Sequence, residues 1–319
     1  AFNEYLDIVN EAIAGIKDRY PKQPTDLYAP IYYTMSLGGK RLRPVLMLMA
    51  CEAVGGKAGD ALLPAVGLEL FHNFTLLHDD VADNSSTRRG APTVFSLLGG
   101  RASVLVGDFW LVKAVELVLS ASHNTDSVIR IFSKTLSDLA EGEMLQLQKA
   151  ASADTTEQDY LRIIYSKTAS LFETACVAAA VSVEAPQEMV EAVREYAVNL
   201  GIAFQIKDDL LDYGGQDIGK PVGVDLREQK ITLPLLGALS VVPQEEQNRI
   251  RGLVKDIPQH PENVDEVVAF VVANGGVQYA QRRLAEFRDK AIDAISSLAE
   301  SQAADYLKEL AEYTAARDI

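Results

Sequence analysis

The feature that most limits the possible folds is the spacing of apolar residues, which recur every three or four positions along nearly the whole 319-residue chain. That is the helical period, and it gives each successive segment an apolar stripe. It predicts helices over 41–54, 59–84, 102–121, 125–150, 156–184, 187–213, 229–241, 244–256, 263–274, 277–299 and 302–316. Breaks fall at Gly38-Gly39, Gly55-Gly56, Gly99-Gly100, Pro186, Gly214-Gly215 and Gly275-Gly276. Pro44 lies near the start of 41–54, where a missing N–H costs nothing. Asp60 is placed to cap 59–84. Alternating β patterns bounded by Asn-Gly or Asp-Gly turns are absent, as is any repeat of fixed period. Stretches such as LFETACVAAAVSV at 171–183 are apolar nearly all round, which suits the middle of a bundle or a subunit contact. A chain of this length also admits two domains, but these helices favour one all-α domain over residues 1–319. Homodimerisation is compatible with it, C2 dimers being the commonest oligomers.

Composition narrows the function. Lys and Arg number 30 against 45 Asp and Glu, a formal charge of -15. Such an acidic chain lacks the basic surface that nucleic-acid binding requires. Two cysteines, Cys51 and Cys176, with no CxxC spacing exclude a disulfide framework and a zinc knuckle. No apolar run reaches the ~18 residues of a membrane span. The start, AFNEYLDIVNEAI, lacks the layout of a signal peptide. The expectation is a soluble cytoplasmic protein.

Two motifs carry the chemistry. His78-Asp79-Asp80-Val81-Ala82-Asp83 and Gln205-Ile206-Lys207-Asp208-Asp209-Leu210-Leu211-Asp212 both contain DDxxD, each near the C-terminal end of an apolar helical segment. Positions i and i+4 share a helix face, so Asp79 pairs with Asp83 and Asp208 with Asp212. Carboxylates crowded into apolar helix are expensive unless a cation pairs with them. Hard oxygen donors call for Mg²⁺ or Ca²⁺ rather than zinc. Mg²⁺ takes one or two carboxylates and fills its octahedron with water and phosphate oxygens. The boxes therefore read as two halves of a magnesium clamp around a polyphosphate. On the helical wheel, His72 lies about 20° from Asp79, Gly201 about 20° from Asp208 and Gln205 about 60° from Asp208.

A polyphosphate also needs cations. Gly38-Gly39-Lys40-Arg41-Leu42-Arg43-Pro44 sets three of them at a predicted helix start, where backbone N–H groups also favour an anion. Arg88-Arg89 trails the first box, and Lys220 and Lys230 trail the second, while Lys167-Thr168 lies inside a helical segment. Arginine adds bidentate phosphate recognition.

Taken together, GGKRLRP, LLHDDVADNSSTRRG, VGDFW, EGEMLQL, YSKTASLFE, AFQIKDDLLDY, GKPVGVDL and KITLPLL, in that order from 38 to 236, closely resemble the trans-type isoprenyl diphosphate synthases, or polyprenyl synthetases. The resemblance implies an all-α bundle around a central active-site cavity, a homodimer, and head-to-tail condensation of isopentenyl diphosphate with an allylic diphosphate. It implies that Asp79, Asp83 and Asp208 bind Mg²⁺, three ions in all and most of them together with the allylic diphosphate. Asp80, Asp209 and Asp212 would support them. Arg88, Lys167, Lys220 and Lys230 would contact that diphosphate. Lys40, Arg43, His72 and Arg89 would form the isopentenyl diphosphate subsite. Thr168 and Gln205 would stand beside the reacting carbons, their dipoles turned to positive charge. No protein base stands out, and in the family the departed pyrophosphate is thought to take the proton.

Bulky residues before the first box limit product length in the family. Phe74 and Thr75 stand five and four residues before Asp79 in an uninserted box, as in short-chain synthases of the geranylgeranyl type. By the wheel, Phe74 lies about 140° from Asp79 and Phe71 about 80°, which makes Phe71 the alternative plug. The expected product is C20, with C15 next. The rivals are a class I terpene cyclase, which resembles the fold but carries a different second metal motif and no GGKRLRP, and a non-catalytic partner subunit, which would have lost a box or its cations. A ferritin-type metal protein needs Glu-x-x-His pairs, and none is present among four histidines.

Overall fold

The helical period is realised nearly as the sequence lays it down. In the computed structural model residues 2–19, 28–121, 123–214 and 222–317 are described; Lys220 lies outside them. The elements in chain order are α1 (Phe2–Arg19), α2 (Tyr28–Ser36), α3 (Leu42–Ala53), α4 (Leu62–Ala82), β1 (Thr87–Arg88), β2 (Ala91–Pro92), α5 (Val94–Leu98) and α6 (Gly100–Leu119). There follow α7 (Thr125–Ser152), α8 (Glu157–Ile164), a π turn (Tyr165–Ala169), α9 (Ser170–Ser182) and α10 (Gln187–Leu211). The remainder is α11 (Val224–Arg227), α12 (Leu233–Leu239), α13 (Gln244–Asp256), α14 (Asn263–Ala273), α15 (Gly276–Ile295) and α16 (Gln302–Ala316). The protein is all-α, apart from two strands of two residues each among the described residues.

Two compact units emerge. One comprises 1–132, 175–190 and 299–306, the other 133–174, 191–298 and 307–319. The core of the first is the packing of α4 against α6, where Ser103 Oγ donates to the Leu77 carbonyl at 2.8 Å and Trp110 is fully buried. The core of the second is built on α12, α14 and α15, with Leu233, Leu235, Val267, Val271 and Ala280 inaccessible to solvent or nearly so. Burial of the leucine and valine side chains is worth about 1.5–3 kcal/mol each.

Local differences from the sequence reading have physical causes. Asp60 accepts from the Lys57 N–H at 3.0 Å, so it closes a 3₁₀ turn over 58–61 and α4 begins after it. Helix 229–241 shortens to α12, with Pro234 in its first turn. The segment 156–184 is one continuous period in sequence but carries the π turn in its middle. A hairpin joins Thr87 to Pro92 and Arg88 to Ala91. Its turn residues Arg89 and Gly90 both have positive φ, 51° and 75°, as a two-residue type I′ turn demands.

Candidate active site

Both aspartate boxes lie in the last turn of a helix. α4 ends in a Schellman motif: Asn84 takes a left-handed φ of 51°, its N–H bonds the Val81 carbonyl, and the Ser85 N–H bonds the Asp80 carbonyl at 2.9 Å. Asp83 is the C-cap of this helix. Asp208 and Asp209 occupy the last turn of α10, and Asp212 follows its end. A helix C-terminus carries the negative end of the macrodipole, which disfavours carboxylates by about 0.3–1 kcal/mol each. The helix ends therefore add to the need for cations.

Within each box one aspartate is buried and hydrogen-bonded, and the others are partly or fully exposed. Asp80 is buried and accepts from Arg88, whose Nε and Nη2 both lie 2.8 Å from Oδ1. Burial pushes the Asp80 carboxyl pKa up, and Arg88 opposes that shift. Asp79 is half-buried and Asp83 exposed. In the second box Asp209 is buried, accepting from Tyr160 Oη at 2.5 Å and from Gln205 Nε2 at 2.9 Å. Burial and the charge of Asp225 push its pKa well above the usual carboxylate range, against those two donated bonds. Asp212, which follows the helix, has partners of its own. It accepts from the N–H groups of Val224 and Asp225, at 2.8 and 3.2 Å, and so caps α11. Asp208 is met by Arg317, Nη2 to Oδ1, at 2.5 Å.

The cations of the first unit also separate by role. Arg41, left-handed at φ 50°, is buried against Glu69 at 2.5 Å and serves the fold. Lys40 is exposed and Arg43 half-buried. Arg43 Nη1 lies 3.2 Å from His72 Nε2. Burial, then the charges of Arg43, Arg89, Arg88 and Arg41, hold the His72 pKa well below its ordinary value. The ring is neutral, and accepting at Nε2 puts its proton on Nδ1. That Nδ1 is buried without a hydrogen-bond partner, an orphaned donor among arginines. Arg89 donates to the Gly38 carbonyl, which ties the hairpin turn to the glycine pair. A small pocket beside the first box is lined by Asn73, Leu76, Leu77, Asp80, Arg88 and Arg89, among others.

In the second unit, Lys167 and Thr168 are presented by the π turn. Two glycines let helices close on it at backbone distance. A Cβ on Gly201 of α10 would stand 2.5 Å from Ala169 Cα, and one on Gly142 of α7 would stand 2.5 Å from Ser166 Cβ. π turns recur at functional sites because they re-aim side chains within a helix. Lys167 Nζ lies 2.6 Å from Glu143 and 3.2 Å from Gln146. Thr168 Oγ1 donates to Gln205 Oε1 at 2.8 Å, so Thr168, Gln205, Asp209 and Tyr160 form one hydrogen-bonded chain. Lys230 pairs with Glu228. Sequence reasoning missed Tyr160 and Arg317; the YSKTA match lay only five residues from the first, and nothing local marked the second.

Phe71 and Phe74 are both buried on α4, edge to face with centroids 5.6 Å apart. Phe71 also meets Phe132 at 5.7 Å, and Phe74 meets His78 at 4.6 Å. Thr75 donates to the His72 carbonyl at 2.7 Å.

Asp79, Asp83 and Asp208 are at least partly exposed carboxylates, and carboxylate oxygen is the donor chemistry that suits a hard divalent ion. Among the described residues no group of three or more His, Cys, Asp or Glu is arranged to hold an ion. This donor set fits Mg²⁺ with most of its shell supplied by water and phosphate. Among the described residues no helix is long and apolar enough to cross a membrane.

Residues 24–271 match the family model described as polyprenyl synthetase. The octaprenyl diphosphate synthase of Haemophilus influenzae is 40% identical over 273 residues, 85% of this chain and 82% of that one. The geranylgeranyl diphosphate synthase of Saccharolobus solfataricus is 31% identical over 325 residues, 99% and 97% of the two chains. The crystal structure of geranylgeranyl pyrophosphate synthetase from Pyrococcus horikoshii superposes with a TM-score of 0.90 at 32% identity, covering 99% of this chain and 97% of that one.

Proposed function

The chain belongs to the polyprenyl synthetase family and is a trans-prenyl diphosphate synthase, a transferase; from that premise we propose a magnesium-dependent enzyme that joins isopentenyl diphosphate to an allylic diphosphate of C5 to C15 and stops at C20, with C15 next. The observation that supports the metal assignment is that each helix C-terminus carries one buried, hydrogen-bonded aspartate, Asp80 or Asp209, beside at least partly exposed carboxylates, Asp79 and Asp83 in the first and Asp208 in the second.

In this reading Asp79, Asp83 and Asp208 are the residues that hold Mg²⁺. When bound, Mg²⁺ neutralises the charge that develops on departing pyrophosphate. Lys167 and Arg88, together with Lys220 and Lys230, add positive charge for the allylic diphosphate. Lys40, Arg43, His72 and Arg89 receive isopentenyl diphosphate, the orphaned His72 Nδ1–H supplying a neutral donor. Thr168 has its proton committed to Gln205, so its oxygen presents only lone pairs to the reacting carbons. That polarity suits a developing allylic cation, which the double bond of isopentenyl diphosphate then attacks.

The short product rests on the buried Phe71 and Phe74 rings, which fill α4 just before the first box. A second reading, a long C40 product, is favoured by the 40% identity to an octaprenyl diphosphate synthase. Incubation with labelled isopentenyl diphosphate, Mg²⁺ and each allylic primer, with products resolved by length, separates them. A C20 product that lengthens in Phe74→Ala or Phe71→Ala supports the short-chain reading. C40 from the wild-type protein overturns it, and no elongation by folded, metal-replete protein overturns the activity.

A homodimer belongs to the same reading. Leu105, Val112 and Leu119 recur at seven-residue spacing along α6, each more than half exposed. Such a stripe is an association surface on one helix face. Sedimentation of the wild-type protein and of Leu105→Glu checks it; a monomeric wild type overturns it.

A further inference from the structure

The π turn at 165–169 needs a cause. Such turns are rare, and YSKTA holds no proline or glycine to break the α period by itself. Gly142 and Gly201 let neighbouring helices close on the turn, but room alone does not select it. A hydrogen bond across it does. Tyr165, its first residue, donates through Oη to Glu173 Oε2 on α9 at 2.5 Å. On a plain α-helix, residues eight positions apart stand about 80° apart around the axis. With one residue absorbed by the π turn, the same two side chains become an i, i+7 pair, about 20° apart on one face. The bond thus aligns when the extra residue lies between 165 and 173.

Both ends of this bond are anchored on other helices. Lys134 Nζ on α7 donates to Tyr165 Oη at 3.2 Å and stands 5.7 Å from its ring centroid, while Asp138 accepts from the same Nζ at 2.6 Å. Glu173 is buried, and its other oxygen accepts from Arg194 Nη1 on α10 at 2.8 Å. Burial and the bond to Glu173 push the Tyr165 phenol pKa up to about 12, so the hydroxyl keeps the proton it donates.

We propose that Tyr165 and Glu173 are positioning residues: their bond holds the extra residue in this stretch and so aims Lys167 and Thr168. The inference rests on the reading of those two residues as facing the allylic substrate. Were the extra residue to move past either end of the bond, Lys167 and Thr168 would lie in plain α-helix and lose the aim that the wider turn gives them. A misplacement of about 1 Å can lower turnover about a hundredfold.

The test is steady-state kinetics of the full-length protein with Mg²⁺, isopentenyl diphosphate and geranyl diphosphate as primer, with folding followed by circular dichroism. In Tyr165→Phe kcat should fall about tenfold to a hundredfold and the KM for the primer should rise. The KM for isopentenyl diphosphate should hold, because the residues assigned to it are untouched. Glu173→Met removes the acceptor at the other end and should give the same split; it decides the matter if Tyr165→Phe does not fold. Glu173→Gln keeps an oxygen for the hydroxyl and should retain most of the turnover. Wild-type constants in either folded variant, or an equal rise in both KM values, overturn the inference; a loss of turnover in Lys167→Ala then leaves the substrate reading standing. No elongation by the wild-type protein, or wild-type constants in Lys167→Ala, overturn that reading and the inference with it.

Discussion

Tyr160 Oη donates to Asp209 Oδ2 at 2.5 Å, joining two buried side chains 49 residues apart in sequence. Through Gln205, this contact sets the direction of every bond as far as Thr168: Asp209 takes the Gln205 amide N–H, which leaves Gln205 Oε1 to accept from Thr168. Tyr160→Phe removes the donor and leaves a buried carboxylate oxygen short of one bond. Urea unfolding should show a loss of about 1–3 kcal/mol. In steady-state kinetics kcat should fall while the KM for isopentenyl diphosphate holds, because His72 and Arg43 are untouched.

Gly201→Ala drives a Cβ against Ala169 Cα, and backbone cannot rotate away as a side chain can. Overpacking of this kind costs about 1–3 kcal/mol. A melting curve should show it, and turnover should drop with it because the strained partner is the turn that carries Lys167 and Thr168.

The Arg88–Asp80 pair can be tested by a double-mutant cycle. Arg88→Gln strands the buried Asp80 carboxylate and should destabilise by about 3 kcal/mol in chemical denaturation. Adding Asp80→Asn should restore most of that loss. A double variant no more stable than Arg88→Gln would show that Arg88 acts on something other than Asp80.

Asp225 gives a pH dependence with a definite sign. Burial, and then the charge of Asp212, raise its pKa to about 6, from an ordinary value of 3.8. The folded protein thus keeps a proton that the unfolded chain has lost, and the associated stability, full below pH 4, is lost as pH rises through 6. Asp225→Asn should therefore stabilise the metal-free protein by about 2–3 kcal/mol above pH 7. The gain should vanish near pH 4, as read from denaturation midpoints across that range.

Much of this was legible in the residues. The bounds of α13 and α16 coincide with the predicted 244–256 and 302–316, because long amphipathic stretches state their period many times over. The boxes were visible as aspartates set in apolar sequence. The π turn was not, since a change from 3.6 to a wider turn over five residues leaves no trace where both flanks are apolar. The hairpin escaped because an Arg-Gly turn takes its positive φ without the usual asparagine or aspartate. The division of labour within the boxes was hidden for another reason. Asp80, Asp208 and Asp212 are sorted by Arg88, Arg317 and the α11 N–H groups, and for Arg317 the partner lies 109 residues away, beyond any periodic signal.

The π turn at 165–169 bears on how this chain tolerates change in its length. Removing one residue from an α-helix rotates all that follows by about 100° and misdirects every later contact. A π turn already holds one residue more than an α turn needs. A deletion within 165–169 would close the helix from α8 into α9 as plain α, with both flanks still in register, while Lys167 and Thr168 lost their aim. At this stretch, architecture and chemistry can be lost separately.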